Sequence, residues 1–164
     1  MKKFIIPFLA MIVAFSCQPK QTEIKADETQ VIIEPIIDSS VIKKLKADEY
    51  GMKQYVIAFL KRGPNPPKDS VEAANLQKAH LENIIRLADE GKLILAGPFM
   101  DNDDVRGIYI FDVTTIEEAR KLTESDPAIQ AGTIVMELKP WYGSAALLLV
   151  PEAHKKLEKK NIAE

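Results

Sequence analysis

The sequence is poor in the residue types that build disulfides and metal sites. It contains one cysteine, Cys17, and two histidines among 164 residues. A single thiol excludes an intramolecular disulfide, so disulfides cannot indicate the compartment in which the protein folds. These three residues have no metal-ligand spacing, and the glycines of "GKLILAG" lack the spacing of a phosphate-binding loop. We therefore expect a protein with no metal site and no cofactor.

An excess of basic charge is also lacking. The chain has 22 lysine and arginine residues against 24 aspartate and glutamate residues, which gives a formal net charge of -2. No basic run is interleaved with aromatic residues, as a nucleic-acid-binding face requires. Hydrophobic residues make up 46% of the chain, enough for the core of one domain at this length. These features argue against nucleic acid as a partner and predict one globular domain with attached segments.

The N-terminus has the pattern of an export signal. Lys2 and Lys3 precede the uncharged apolar stretch 4–15, which is too short for a standard membrane span, and residues 1–16 are therefore interpreted as a signal peptide. In "AFSC", Cys17 follows a small residue, similar to the lipobox of bacterial lipoproteins, where diacylglycerol is attached to the cysteine. We expect a lipid anchor at Cys17 that holds the protein at a membrane of the cell envelope, on the periplasmic side. The alternatives are ordinary secretion with a free thiol and an uncleaved anchor.

Residues 17–53 are interpreted as a tether and an N-terminal extension. They mix charged and polar residues with the apolar patch "VIIEPII", and "SSVIKKLKADE" predicts a short helix after Ser39 and Ser40.

Region 54–142 has the pattern of an α+β domain. Apolar, β-branched and aromatic residues predict four strands, in "QYVIAFL", "KLILAGPF", "RGIYIFDV" and "GTIVMELKPW". A helix capped by Asp69 follows the first strand, and a capping box of Thr115 and Glu118 opens a helix before the fourth. The order βαββαβ predicts a ferredoxin-like fold, in which both helices cover one face of an antiparallel sheet. Residues 143–164 are interpreted as a C-terminal extension.

Both faces of the predicted sheet are apolar. The first strand alternates between two apolar sets, Tyr55, Ile57 and Phe59 on one face and Val56, Ala58 and Leu60 on the other. Since a solvated face would be polar, the face without helices also needs a cover. A symmetric dimer with facing sheets supplies one, so we expect a homodimer that forms a dimeric α+β barrel. The alternative is that the C-terminal "SAALLLV" or the N-terminal extension covers this face within one chain.

Two residues are candidates for acid/base chemistry. His80 falls on the helical stripe that contains Leu76 and Ile84, so its imidazole should point at the sheet, where it needs hydrogen-bond partners. Asp126 precedes Pro127, a pair typical of a helix N-cap and its first residue. Because a carboxylate has two oxygens, Asp126 can cap a turn with one and orient an imidazole with the other. The alternatives are a core histidine satisfied by a backbone carbonyl and an aspartate that only caps.

The segment from about Tyr55 to Trp141 resembles the YciI-like (YCII-related) family in the motifs "AHLENI", "GKLILAGPF", "SDPAIQAG" and "ELKPW". The resemblance implies a dimeric α+β barrel with a site built around a histidine and an aspartate, which fall here on His80 and Asp126. Family members thought to be enzymes are associated with cofactor-free chemistry on small, often aromatic molecules, including dehydrochlorination of the lyase type. The export signal and both extensions are additions to the minimal domain.

Two functional hypotheses follow from this resemblance. In the first, the protein is an envelope-tethered enzyme in which His80 moves a proton of a small molecule and Asp126 orients the ring. Gly97 and Pro98, at the end of the second strand, then shape the wall of the substrate pocket, unless they form only a turn. In the second, the same fold is a small-ligand-binding or accessory module without catalysis. A distance of about 3 Å between the imidazole and the carboxylate, beside an open cavity, would favour the enzyme, whereas a separated pair, or a pair sealed in the core without a cavity, would argue against catalysis.

Overall fold

The structure, a computed structural model, describes residues 37–163. The signal peptide predicted for residues 1–16, the candidate lipidation site Cys17 and the first part of the predicted tether lie outside the described residues. The elements, in chain order, are α1 (Ser39–Leu45), β1 (Met52–Arg62), α2 (Ser70–Asp89), β2 (Leu93–Pro98), β3 (Val105–Phe111), α3 (Ile116–Thr123), α4 (Pro127–Gln130), β4 (Ile134–Ser144), a 3-10 helix (Ala145–Leu149) and α5 (Val150–Lys155).

The four strands form one antiparallel sheet in the order β2-β3-β1-β4. This order places the first strand between the third and the fourth, as in a ferredoxin-like fold, and confirms the predicted fold class. Helices α2 and α3 cover one face. Their core with the sheet contains Val56, Ala58, Leu60, Leu87, Leu93, Tyr109, Phe111, Val113 and Ala119. Burial of one side chain as large as Leu87 or Phe111 contributes about 1.5–3 kcal/mol to stability.

Strands β1 and β4 are longer than the sequence pattern indicated. β1 begins at Met52 instead of Gln54, and β4 continues to Ser144. The reason is that the two strands pair along their whole length, from Met52 opposite Ser144 to Arg62 opposite Ile134. Because of this pairing, both strands continue past the residues that show a clear alternation along the sequence.

The ends of α2 are set by local side-chain chemistry. Asp69 accepts hydrogen bonds from the backbone N–H groups of Val71 and Glu72, which satisfies two donors that the first turn would otherwise leave unpaired. The helix ends before Gly91, which has a positive φ of 67° and turns the chain into β2.

The C-terminal segment covers part of the outer sheet face, which is the face opposite α2 and α3. Leu147 and Leu148 pack against the buried side chains of Tyr55, Ile94 and Ile110. The intrachain cover through "SAALLLV" is therefore present on this part of the face. On β4 the same face is more polar, because Glu137 and Lys139 form an ion pair there. Val135 and Trp141 remain 41% and 37% exposed. The homodimer stays a prediction.

The end of the N-terminal extension is bound to the domain. Helix α1 is capped by Asp38. After it, Asp48 accepts hydrogen bonds from the backbone N–H of Met52 and from the Tyr142 hydroxyl, which joins the extension to the adjacent ends of β1 and β4. Among residues 37–163, no helix has the length and apolar character needed to cross a membrane.

Candidate functional site

His80 lies in the middle of α2 and faces the core. The buried residues of this helix are His80, Asn83 and Leu87, which follow one another at helical spacing on one face. The position agrees with the inward stripe seen in the sequence. The His80 side chain is 8% exposed, so its two ring nitrogens depend on partners within the protein.

Asp126 lies in the turn between α3 and α4 and uses both carboxylate oxygens. Oδ1 accepts the backbone N–H of Ala128 at 2.9 Å and caps α4, whose first residue is Pro127. Oδ2 lies 2.6 Å from His80 Nδ1. The two interpretations of this residue from the sequence are therefore compatible in the structure, because the cap and the contact with the imidazole use different oxygens.

The Tyr109 hydroxyl contacts the second ring nitrogen of His80, Nε2. A carboxylate oxygen that carries no proton can only accept, so in the neutral tautomer with the proton on Nδ1 that nitrogen donates to Asp126 and the lone pair lies on Nε2. The Tyr109 hydroxyl is 3.1 Å from Nε2 and donates to it in this tautomer. Asp126, His80 and Tyr109 thus form a hydrogen-bonded row, which we call the triad. Sequence reasoning missed Tyr109, although a tyrosine in the same alternating set as Phe111 signals a buried hydroxyl that needs a partner.

Small neighbours make room for the Tyr109 ring on the sheet. Ala58 of β1 and Ala96 of β2 lie directly opposite Tyr109 in the register of the sheet. The Tyr109 and His80 rings are nearly parallel, with centroids 6.1 Å apart, and the Tyr109 ring meets Phe111 edge-on. Burial, and then the negative charge of Asp126, raise the pKa of the Tyr109 hydroxyl above its ordinary value of 10.0. The hydroxyl therefore keeps its proton at neutral pH and remains a donor.

Tyr109→Phe is expected to reduce the loss of stability at alkaline pH. Above about pH 10 the folded protein keeps the Tyr109 proton while the unfolded chain releases it, so the free energy of unfolding falls as the pH rises. Tyr55, whose pKa burial and the charge of Asp112 raise to about 12, adds to this loss between about pH 10 and pH 12. The free energy of unfolding, measured with urea, should fall less between about pH 8 and about pH 11 in Tyr109→Phe than in the wild type. Tyr50→Phe, at a position 77% exposed, is the control. If the free energy of unfolding falls equally between the two pH values in the wild type, Tyr109→Phe and Tyr50→Phe, the expectation is wrong.

In β2, Gly97 and Pro98 directly follow the residue that pairs with Tyr109. No hydrogen bond among the described residues joins them to the triad. They end β2 opposite Ile108 and Gly107. The β2 residue opposite Tyr109 is Ala96. The proposed role of Gly97 and Pro98 in substrate binding stays a prediction.

Four surface clefts in the described part of the chain lie away from His80 and Asp126. The one of about 490 Å³ is lined by residues that include Lys53, Asp112 and Tyr142, near the start of β1. Neither His80 nor Asp126 lines this cleft or the other three. The structure thus meets the distance expected for an acid/base pair. None of these four clefts provides the open cavity that was expected beside the pair, which lies beneath the surface.

A family model described as the YCII-related domain matches residues 55–142, more than half of the chain. The chain belongs to the YCII-related domain family. The match runs from β1 to β4 and includes all three residues of the triad. A relative of this YCII-related chain is the uncharacterized protein YjpA of Bacillus subtilis (strain 168), 32% identical over 62 residues that cover 38% of this chain and 71% of YjpA.

A solved structure is also similar to this YCII-related chain. It is 5-chloro-2-hydroxyhydroquinone dehydrochlorinase (TftG) from Burkholderia phenoliruptrix AC1100, in complex with 2,5-dihydroxybenzoquinone. The two chains are 20% identical with a TM-score of 0.40, and the similarity covers 54% of this chain and 93% of that one.

Proposed function

We propose that the protein is a cofactor-free small-molecule enzyme that uses His80 and Asp126 for acid/base chemistry of the lyase type. The observation that carries the proposal is the 2.6 Å contact between His80 Nδ1 and Asp126 Oδ2, in a pair almost wholly removed from solvent. A carboxylate at this distance sets the tautomer of the ring and stabilises the imidazolium that forms when Nε2 takes a proton. Membership of the YCII-related family supports the same assignment.

The proposed step needs only groups that the chain supplies. In this step the substrate takes the place of the Tyr109 hydroxyl at His80 Nε2, which removes a proton from a carbon of the substrate. The electron pair of that C–H bond forms a double bond to the next carbon. The leaving group departs from that carbon with its own bonding pair. Asp126 acts as the positioning residue. Of the pair, the imidazole keeps the larger exposure, 8% against 1%, which supports an approach of the substrate from the side of His80.

A non-catalytic module that holds a small ligand is the second candidate. The observation that favours it is the burial of the triad, since His80 and Asp126 line none of the four clefts. In this case the hydrogen bonds of the triad would only specify one arrangement of the core, a role known for buried polar groups in some proteins.

A turnover and ligand screen separates the two candidates. The full chain and its His80→Ala variant would be incubated with a panel of small aromatic and carbonyl compounds, and products would be detected by mass spectrometry. The enzyme predicts turnover that disappears in His80→Ala and persists in His154→Ala, a change at the second, exposed histidine. Turnover that survives His80→Ala excludes His80 as the base. Ligand binding without turnover in the wild type supports the second candidate.

We also propose that two copies form a homodimer through the part of the outer sheet face that Leu147 and Leu148 leave open. Val135 and Trp141, both more than a third exposed on β4, support this. Sedimentation of the full chain should show a dimer, and Trp141→Asp should shift it toward monomer. A clean monomer of the wild type at micromolar concentration would overturn the proposal.

For Cys17 we propose lipidation after removal of residues 1–16, which would hold the protein at a membrane of the cell envelope on its periplasmic side. The support is the sequence pattern alone, with two lysines, an apolar stretch and "AFSC". Mass spectrometry of the mature N-terminus should find a diacylglycerol on Cys17, and Cys17→Ser should release the protein from the membrane fraction. An unmodified thiol in the mature wild type would contradict lipidation.

A further inference from the structure

One buried donor near the triad lacks a partner. Asn83 lies one turn after His80 on the inward face of α2 and is only 7% exposed. Its Nδ2 has no hydrogen-bond partner among residues 37–163, and it is the one buried side-chain nitrogen or oxygen in that range to which this applies. A buried donor left unpaired costs about 1–3 kcal/mol, so a group of this kind in a folded protein requires an explanation.

The chemistry of its neighbours fixes the orientation of the Asn83 amide. Oδ1 lies 2.7 Å from a guanidinium nitrogen of Arg86 and 3.1 Å from the Ser125 hydroxyl. A guanidinium has donors only, so turning the amide over would place two donor groups against each other. The oxygen therefore faces Arg86, and the N–H groups of Nδ2 face away from it. The bond from the cationic Arg86 also polarises the amide, which strengthens Nδ2 as a donor.

The donor and the base share one face of the helix. Residues three apart on a helix have Cβ atoms about 5–6 Å apart, so a molecule of a few atoms is long enough to span the distance from His80 to Asn83. Ser125, which also contacts Asn83, immediately precedes Asp126. The residues around the unpaired donor are therefore continuous with the triad.

We propose that Asn83 is a ligand-binding residue whose Nδ2 donates a hydrogen bond to a carbonyl oxygen of the substrate. This inference rests on the proposed function of His80. When Nε2 takes a proton from the carbon next to the carbonyl, the C–H electron pair forms a carbon–carbon double bond and the carbonyl π pair moves onto oxygen. The Asn83 amide stabilises the negative charge that develops there. The ligand class is then a small carbonyl compound with a hydrogen on the adjacent carbon.

Hydroxyacetone, a small neutral carbonyl compound, is the probe for the test. The full chain labelled with ¹⁵N would be titrated with it, and the side-chain amide signals of Asn83 would be identified by their absence in Asn83→Leu. In parallel, exchange of the carbon-bound hydrogens for deuterium in D₂O would be followed by proton NMR. We expect the Asn83 amide signals to move on titration and the exchange rate to fall by about 10²–10³-fold in Asn83→Leu. Asn75→Leu, at an exposed asparagine of the same helix, should exchange at the wild-type rate.

The outcomes distinguish this inference from the proposed function. Movement of the Asn83 signals without any exchange in the wild type keeps Asn83 as the ligand donor and overturns the role of His80 as a base. Exchange at the wild-type rate in a folded Asn83→Leu overturns the inference and leaves His80 untouched. Asn83 signals that stay in place at saturating hydroxyacetone also overturn it. If Asn83→Leu does not fold, Asn83→Asp identifies the signals, and the wild-type titration decides.

Discussion

Asp126→Asn is expected to leave the protein folded and to remove most of the proton transfer by His80. An asparagine can keep the α4 cap by presenting its oxygen to the Ala128 N–H, but its NH₂ group then faces His80 Nδ1. Two donors cannot share a hydrogen bond, so the ring must move its proton to Nε2 and loses the lone pair that acts as the base. The corresponding change in a Ser-His-Asp triad lowers the rate about 10⁴-fold, and we expect a loss of about 10³–10⁴-fold here.

Two measurements check the Asp126→Asn expectation. Nitrogen chemical shifts of the His80 ring report which nitrogen carries the proton, and they should show Nδ1–H in the wild type and Nε2–H in the variant. The exchange or turnover rate should fall in the same variant. Asp126→Ala is the matched comparison, because it loses the cap as well as the contact with His80 and should be clearly less stable. An unchanged ring tautomer, or an unchanged rate, would contradict the role assigned to Asp126.

His80→Ala is expected to destabilise the protein strongly as well as to stop proton transfer. The substitution leaves the Asp126 carboxylate, with 0% exposure, without its closest partner. Removal of the partner of a buried charge costs about 3–5 kcal/mol, because the charge stays in a poorly solvated place without compensation. The Tyr109 hydroxyl also loses its acceptor, which adds about 1 kcal/mol.

Urea unfolding at neutral pH measures the His80→Ala effect. His154→Ala provides the control, because it removes an exposed imidazole from the same chain and should change the free energy of unfolding by less than about 0.5 kcal/mol. Free imidazole should partly restore the stability of His80→Ala by filling the space and pairing with Asp126. A stability loss below about 1 kcal/mol would show that the contact between His80 and Asp126 contributes little.

The fold could be predicted because its signals are local. The alternation in each strand, the Asp69 cap and the capping box at Thr115 each depend on a few neighbouring residues, and together they define the βαββαβ order. His80 was placed by helical spacing and Asp126 by the Asp-Pro pair, so their two positions followed from local patterns. The distance of 2.6 Å between His80 Nδ1 and Asp126 Oδ2 depends on how α2 packs against α4. The spacing of residues along the sequence does not contain this information.

The parts that sequence reasoning missed depend on contacts distant in the chain. Tyr109 joins His80 across 29 positions, and its role required knowledge of the strand register. Asn83 became a candidate only because Arg86 and Ser125 fix its orientation, and Ser125 lies 42 positions away. The partial cover of the outer sheet face by Leu147 and Leu148 was one of two open alternatives, since an apolar face shows that it needs a cover and not which segment supplies it.

The packing of Leu147 and Leu148 changes where a recombinant domain can end. A fragment that stops at residue 142 would contain the whole family match, yet it would expose the side chains of Tyr55, Ile94 and Ile110 to water. Such a surface favours aggregation in a monomer. The smallest soluble fragment should therefore include residues 145–149, and low yield from a shorter fragment would reflect a missing piece of structure and not a failure of the family domain to fold.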